Sequence, residues 1–576
     1  MIPLTPQVVN NYIHPGSHIF PWPILLYCDL IAAMRKTFFI TSLLLFLLNA
    51  RSQTVNFTSS NLPIVVINTN GQDIPDEPKL QVGMGIIYNG PGVRNNLTDS
   101  FNNYNGAVGI ELHGHSSQMF PMKSYGLELR DASGNSQDKS ILGMPKESDW
   151  ILYAPYTDKT LMRNFLAYTI SREMGRWAAR CQFVEVVINN DYKGVYILME
   201  KIKRNSNRVN VAKMAVTDTT GDAVTGGYIF SLDKDPDGWF SSYAPPGSLT
   251  ASFRQFTYVF PKAENIVPAQ KANIKSYVDS FETALYSPSF QDPASGVRKF
   301  ADIPSFIDYF IVNEVSRNVD GYRLSSYFYK DRNSKNRKIF AGPVWDYDLA
   351  FRNADYCNGS EIMGWAYQFN YVCPGDQAGL VPFWWDRFMS DTAFKSSLRC
   401  RWKELRQSSL SIQRIDFLID SINTLVNEAQ QRHFQRWPVL GQYIWPNPQP
   451  IPTSYDGEIS SLKTWIDQRL QWMDANIPNE GNCYDYPSDR SETIIVSINP
   501  NPLPGNGTLN VQSKTAQSLN LKIYDAMGRI LRSEKWQLIN GMNTIDLHSS
   551  NWAKGVYFIS LKSSNGDNQV RKLVRD

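Results

Sequence analysis

A chain of 576 residues is too long for a single hydrophobic core, and its 42% hydrophobic and 13% aromatic content is that of packed domains, not of a disordered polymer. Its 57 basic and 54 acidic residues leave a net charge of +3, which excludes the broad basic field that nucleic acid or an anionic membrane would require. The length alone predicts roughly two to four domains.

The first organised segment is "MRKTFFITSLLLFLLNARSQ". Its apolar run, Thr37 to Leu48, is shorter than the roughly 20 residues a transmembrane helix needs, so no stable membrane span is expected. Arg35 and Lys36 precede the run, and the small residues Ala50 and Ser52 stand just before Gln53, the pattern of a secretory signal peptide. Residues 34–52 are therefore read as the leader, and residues 1–33 as an upstream extension from a start placed too early. Export implies an oxidising compartment. Cys181, Cys357, Cys373, Cys400 and Cys483 follow the leader, and an odd count permits two bridges at most. Cys357 with Cys373 is the preferred pair, across a short polar loop; Cys400 with Cys483 is the second. With no CxxC and only His113, His115, His433 and His548 beyond the leader, no structural zinc is expected.

Residues 53–105 read as a β-rich layer, since "LPIVVINTNG" and "KLQVGMGIIYNGPG" are apolar runs closed by Asn-Gly turns. "GAVGIELHGHSSQMFPMKSYGLELRD" reads as two strands joined by a small polar loop, Gly114 to Pro121, with Lys123 on the second strand. "TLMRNFLAYTISREMGRWA" has helical periodicity and a stop at Gly175. "FVEVVINN" and "GVYILMEKI" are strands separated by an Asn-Asp-Tyr-Lys-Gly hairpin signal. Farther on, "GGYIFSLDK" and "FTYVFPKAE" are predicted strands, and "QKANIKSYVDSFETALYS" and "IPSFIDYFIVNEVSRNVDG" are predicted helices. Residues 375–480 read as mainly helical, with Trp384, Trp385, Trp402, Trp437 and Trp445 taken as core. After a linker at 486–492, residues 493–576 alternate in short strands spaced as in a small antiparallel β-sandwich. The fold class is α+β, followed by an all-β C-terminal domain.

One stretch carries chemistry against its surroundings. "GPVWDYDLAF" places Asp346 and Asp348 two residues apart among aromatic side chains. In an extended segment both acids would share one face, and a cation between them would make their proximity tolerable. Taken alone, the stretch reads equally as an exposed turn with solvated acids.

Six motifs in order decide between these readings. They are "GHSSQMFPMKSYGLEL", "ILGMPKESDWILYAPYTDKTLMRN", "INNDYKGVYILMEKIKRNSNRVNV", "TGGYIF", "NEVSRNVDG" and "GPVWDYDLAF". Through them residues of about 60–480 resemble the secreted spore-coat-protein-H (CotH) kinase-like family, giving a domain at 106–485. The tail, with "PNP", "YDAMGR" and "GVYFISL", is similar to the C-terminal sorting domain of Bacteroidetes-type (type IX, Por) secretion cargo.

The resemblance implies an atypical protein-kinase-like body that uses ATP and Mg2+ or Mn2+ to phosphorylate Ser or Thr hydroxyls of surface proteins. It implies Asp320 as the base or hydroxyl-orienting group, and Asp346, Asp348 and Asn318 as metal ligands. It places Lys123, Ser116, Ser117, Arg163 and Glu200 around the nucleotide and its phosphates, with a structural salt bridge as the other reading of Arg163 and Glu200. The chain departs from the family pattern at His113, where an arginine is usual, and at Met122, where the first of two lysines is usual. The rival reading is a surface adhesin or structural protein that keeps the kinase-like scaffold without turnover.

Overall fold

The computed structural model describes residues 55–478 and 493–575, apart from 235–236, 249–254, 374–378, 514–515, 527 and 564–567. The expected extension at 1–33, the leader at 34–52, the linker at 486–492 and Cys483 lie outside the described residues.

Seven strands close a barrel: β1 (Ile64–Asn68), β2 (Leu80–Ile87), β3 (Tyr104–His113), β4 (Ser124–Arg130), β5 (Asp149–Tyr153), β6 (Cys181–Ile188) and β7 (Asp191–Glu200). The order around it is β1-β2-β3-β4-β5-β7-β6, and β6 runs parallel to β1 to complete the ring, Val65 opposite Val186. Alternation divides the side chains. Val65, Ile67, Val82, Val108, Leu127, Trp150, Val184 and Leu198 fill one apolar cluster, while Ile151, Phe183, Val195, Ile197 and Met199 face a second, larger one. Strands β5 to β7 are buried on both faces, which is why they read as unbroken apolar runs. The β-rich layer expected over 53–105 is thus not separate; its strands need those up to residue 200 to close the ring.

Two local expectations are corrected. The β6–β7 turn is Asn189-Asn190, both with positive φ (51° and 63°), as the tight primed hairpin requires; Asp191 to Gly194 belong to β7. Lys123 lies just before β4, outside the strand.

The larger cluster joins the barrel to the helical body through α1 (Arg163–Glu173), whose Phe165 stacks on Phe183 and whose end is followed by Gly175 at φ +87°. A five-stranded sheet follows, built from β8 (Tyr228–Leu232), β9 (Gly238–Phe240), β10 (Gln255–Phe260), β11 (Ser326–Lys330) and β12 (Ile339–Ala341) in the order β9-β10-β8-β11-β12. Helices α2 (Pro268–Tyr286), α3 (Ile303–Ser316), α4 (Trp384–Met389), α5 (Thr392–Arg406), α6 (Ile412–Arg436) and α7 (Tyr455–Asn476) complete the body. No helix among the described residues is long and apolar enough to cross a membrane. Trp384, Trp385 and Trp402 are core residues as expected, whereas Trp445 is 43% exposed and stacks on Tyr356. Cys357 and Cys373 are bridged; Cys400 is disulfide-bonded, and Cys181 is the buried free thiol.

Helix α6 clamps the barrel. His433 Nδ1 accepts the Val195 amide at 3.2 Å, Arg432 pairs with the buried Glu185, and Trp437 donates to the Lys193 carbonyl. Gly194, at φ +107°, makes the approach feasible, since a Cβ there would stand 3.0 Å from His433 Nδ1.

The C-terminal domain contains β13 (Thr493–Asn499), β14 (Asn506–Ser513), β15 (Gln517–Asp525), β16 (Ile530–Leu538), β17 (Gly541–His548), β18 (Gly555–Ser563) and β19 (Asn568–Arg575). They form a three-stranded and a four-stranded antiparallel sheet, with Leu509, Val511, Leu521, Ile523, Ile545 and Ile559 in the core between them.

Candidate active site

The site begins where α3 ends. Asp302 caps this helix by accepting the Ser305 amide at 2.9 Å, and all residues from Ser305 to Ser316 are buried. It stops at Arg317, left-handed at φ 46°, whose guanidinium reaches the carbonyls of Asn358 and Gly364. The chain then turns through Asn318 and Asp320. Asp320 keeps one fifth of its side chain exposed, and Arg323 lies 3.7 Å from it.

The acidic pair arrives on the chain leaving β12. The segment is not extended, contrary to the simple alternation argument. Asp346 sits at φ +63°, in a turn held by its neighbours. Its amide donates to the Tyr168 hydroxyl (3.1 Å), and the next amide, of Tyr347, donates to Asn164 Oδ1 (2.6 Å). From the other side, Asn318 Nδ2 donates to the Asp346 carbonyl (3.2 Å), while Asn318 Oδ1 accepts the Asp320 amide (3.2 Å). Asn353 donates to the Asp348 carbonyl at 2.8 Å, and the Phe351 amide closes on Ser316 of α3 at 2.7 Å. Six of the thirteen non-glycine residues with positive φ among the described residues lie between 317 and 352. Such strain persists only where surrounding contacts over-determine it.

The electrostatics set this corner apart. Burial and the charges of Asp348, Asp320 and Asp233 push the Asp346 carboxyl well above the usual carboxylate range. Burial, then Asp320 and Asp158, raise Asp348 to about 6. The charged groups acting most on either acid are other acids, so the pair holds protons or needs a cation. Hard carboxylate oxygens on two adjacent side chains suit Mg2+ or Mn2+, which take one or two carboxylates and complete their shell with phosphate and water. Among the described residues no group of three or more Asp, Glu, His or Cys side chains is placed to hold a metal ion.

The barrel-side candidates divide. The Gly114–Pro121 loop contains a short turn, Ser116–Met119, and Gly114 sits at φ +92°, a backbone conformation that strains any other residue. Ser116 is exposed and Ser117 half-buried. Lys123 donates to the Gln118 carbonyl of this loop at 2.5 Å, so it is tethered to the loop. Met122 is buried in the barrel core. His113 is lowered to about 4, first by burial and then by Lys201.

The contacts of Arg163 and Glu200 fit the salt-bridge reading of each. Arg163 is buried, pairs with the buried Asp158 at 2.5 Å and donates to the Phe351 carbonyl. Through the Phe351 carbonyl it braces the acidic loop. Glu200 is fully buried, with both oxygens on Arg180 (2.6 and 2.8 Å) and Arg208 3.5 Å away. It anchors the barrel rim as a structural ion pair.

The structure adds residues that sequence reasoning passed over. Asn164 and Tyr168 show in the sequence only the helical periodicity of their segment, although Asn164 is a polar residue in a mostly buried stretch. Asp158, Asp233 and Ser325, whose hydroxyl lies 3.5 Å from Asp346 Oδ2, come from remote segments with no local signal. Tyr356 faces the same cluster, its hydroxyl pushed up by burial and by Asp320.

Comparison with protein-family models matches residues 110–473 to "CotH kinase protein" and residues 497–576 to "Secretion system C-terminal sorting domain". Comparison with curated proteins gives no match.

Proposed function

The chain belongs to the CotH kinase protein family, and from that premise we propose that it is an exported ATP- and Mg2+- or Mn2+-dependent protein kinase acting on Ser or Thr hydroxyls. The observation that carries this reading is the meeting of Asp320, from the exit of α3, with Asp346 and Asp348, from the chain after β12, in one acid-rich corner. Asp346 and Asp348 would hold the divalent metal, which when bound would supply positive charge to the transferring phosphoryl group. Asp320, solvent-reachable beside them, orients the substrate hydroxyl and receives its proton. The hydroxyl oxygen bonds to the γ-phosphorus as the bond to the β–γ bridging oxygen breaks, and ADP leaves. Lys123 and the Ser116–Ser117 turn would bind the phosphates, Lys123 exchanging the Gln118 carbonyl for a phosphate oxygen.

The sorting domain supports delivery by the type IX machinery to the cell surface or medium, where the protein substrates are met. A second reading, a surface adhesin on the same scaffold, is favoured by one observation: the two cations that would face phosphates are engaged, Lys123 with Gln118 and Arg163 with Asp158.

The purified protein is incubated with γ-labelled ATP and Mg2+ or Mn2+, beside Asp320→Ala and the double variant Asp346→Ala/Asp348→Ala. Incorporation that falls at least a hundredfold in both variants is the expected result. Equal incorporation by wild type and variants removes the enzyme reading and leaves the adhesin.

A further inference from the structure

Two consecutive peptide groups of the acidic loop donate to the same face of one helix. Tyr168 and Asn164 are four residues apart on α1, hence one turn apart and side by side. Tyr168 accepts the Asp346 amide and Asn164 accepts the Tyr347 amide. Both side chains are buried, at 0% and 1% exposure, so neither acceptor is replaced by water. The backbone they hold is the left-handed turn at Asp346, a conformation that a non-glycine residue leaves unless it is held. The ring of Tyr168 adds a stack on Trp345, 5.9 Å away and inclined by 15°. Asn318 completes the grip from the opposite side through the Asp346 carbonyl.

We infer that Asn164 and Tyr168 are positioning residues for the metal-holding acids: by pinning the two amides they keep the carboxylates of Asp346 and Asp348 converged on one cation. Helix α1 also carries the barrel contact through Phe165 and Phe183, so the element that seats against the barrel is the one that shapes the acidic pair. Neither side chain needs to touch metal, nucleotide or acceptor. Their effect is exerted through the backbone geometry of residues 346 and 347. This inference rests on the metal-holding role given above to Asp346 and Asp348.

The test is Mn2+ binding to the whole protein without nucleotide, followed by electron paramagnetic resonance, for wild type, Tyr168→Phe and Asn164→Ala. Tyr168→Phe removes one oxygen and keeps the packed ring, so it is the variant that preserves the fold; thermal melting of the metal-free protein checks this. Each variant should weaken Mn2+ binding about tenfold, the value of one buried hydrogen bond lost from the converged loop. At saturating Mn2+, phosphoryl-transfer turnover should return to within about twofold of wild type, a split between metal KM and kcat that a merely structural role would not produce. Unchanged Mn2+ affinity in Tyr168→Phe, with wild type binding normally, overturns the inference and spares the kinase reading. Failure of wild type to bind Mn2+ overturns both.

Discussion

His433 links the helical body to the barrel, and its burial makes that link sensitive to pH. Its imidazole is fully enclosed, accepts the Val195 amide at Nδ1, and is lowered from 6.5 to about 3 by desolvation. The unfolded chain therefore binds a proton below pH 6.5 that the folded chain refuses. Stability contributed by neutral His433 is present at pH 7 and is lost progressively as pH falls from about 6.5 towards 3. At pH 5, one and a half units below the unfolded value, the loss is about 2 kcal/mol at 1.36 kcal/mol per unit. The perturbation is His433→Asn, which keeps an acceptor but does not titrate. Denaturant unfolding of the body, followed by tryptophan fluorescence at pH 7 and pH 5, gives the two differences. The variant should be less stable at pH 7, and the gap should narrow by about 2 kcal/mol at pH 5. A gap that stays constant across this range would show that the folded imidazole titrates normally and that the enclosure is not real.

A buried acid predicts the opposite slope. Glu282 of α2 accepts from Ser241 and from the Trp384 indole, yet burial raises it to about 7, so the native state holds a proton that the unfolded state releases above pH 4.5. Stability should therefore fall by about 3 kcal/mol as pH rises through the 4.5 to 7 window, and Glu282→Gln should abolish that slope. A wild-type slope that survives the substitution would assign the titration to another group. Glu314 and Arg469, both with wholly buried side chains, form an ion pair that also supports the exit of α3 through the amides of Ala366 and Tyr367. Glu314→Gln strands the guanidinium and should cost about 3–5 kcal/mol in chemical denaturation; a loss under about 1 kcal/mol would mean that the carbonyls around Arg469 already satisfy it. Asp158→Asn, which removes the charge behind Arg163, should destabilise the body by a similar amount, about 3–5 kcal/mol. A variant as stable as wild type in the same melt would remove the bracing role of this pair.

Much of the architecture was legible because short-range physics writes it into the chain. Asn-Gly turns, alternating apolar strands and the Gly175 stop located elements to within a few residues, and the spacing of short strands after residue 493 identified the terminal sandwich. The preferred Cys357–Cys373 bridge was also legible, since two cysteines flanking a short loop are close whatever the rest does. Closure of the barrel was not, because the parallel pairing of β1 with β6 joins residues more than a hundred positions apart and leaves no local mark. The hairpin turn was displaced by two residues because two asparagines can adopt positive φ without a glycine.

The candidate site divides along the same line. Sequence alone determined which side chains are the candidates: two carboxylates in an aromatic stretch, a third acid in an Asp-Gly turn at a helix exit, and a lysine beside a small-residue loop. These are statements about residue type and spacing, which the chain holds before it folds. Tertiary structure decided which of the charged candidates are enclosed in ion pairs. Arg163 and Glu200 have the right chemistry for a nucleotide site, but burial couples each to an opposite charge, because an ion removed from water must find a partner close by. It also decided how the acidic pair is held. The turn at Asp346, pinned by Asn164 and Tyr168 from a helix almost two hundred residues earlier, replaces the simple extended face, because a left-handed aspartate persists only where distant groups hold its peptide in place.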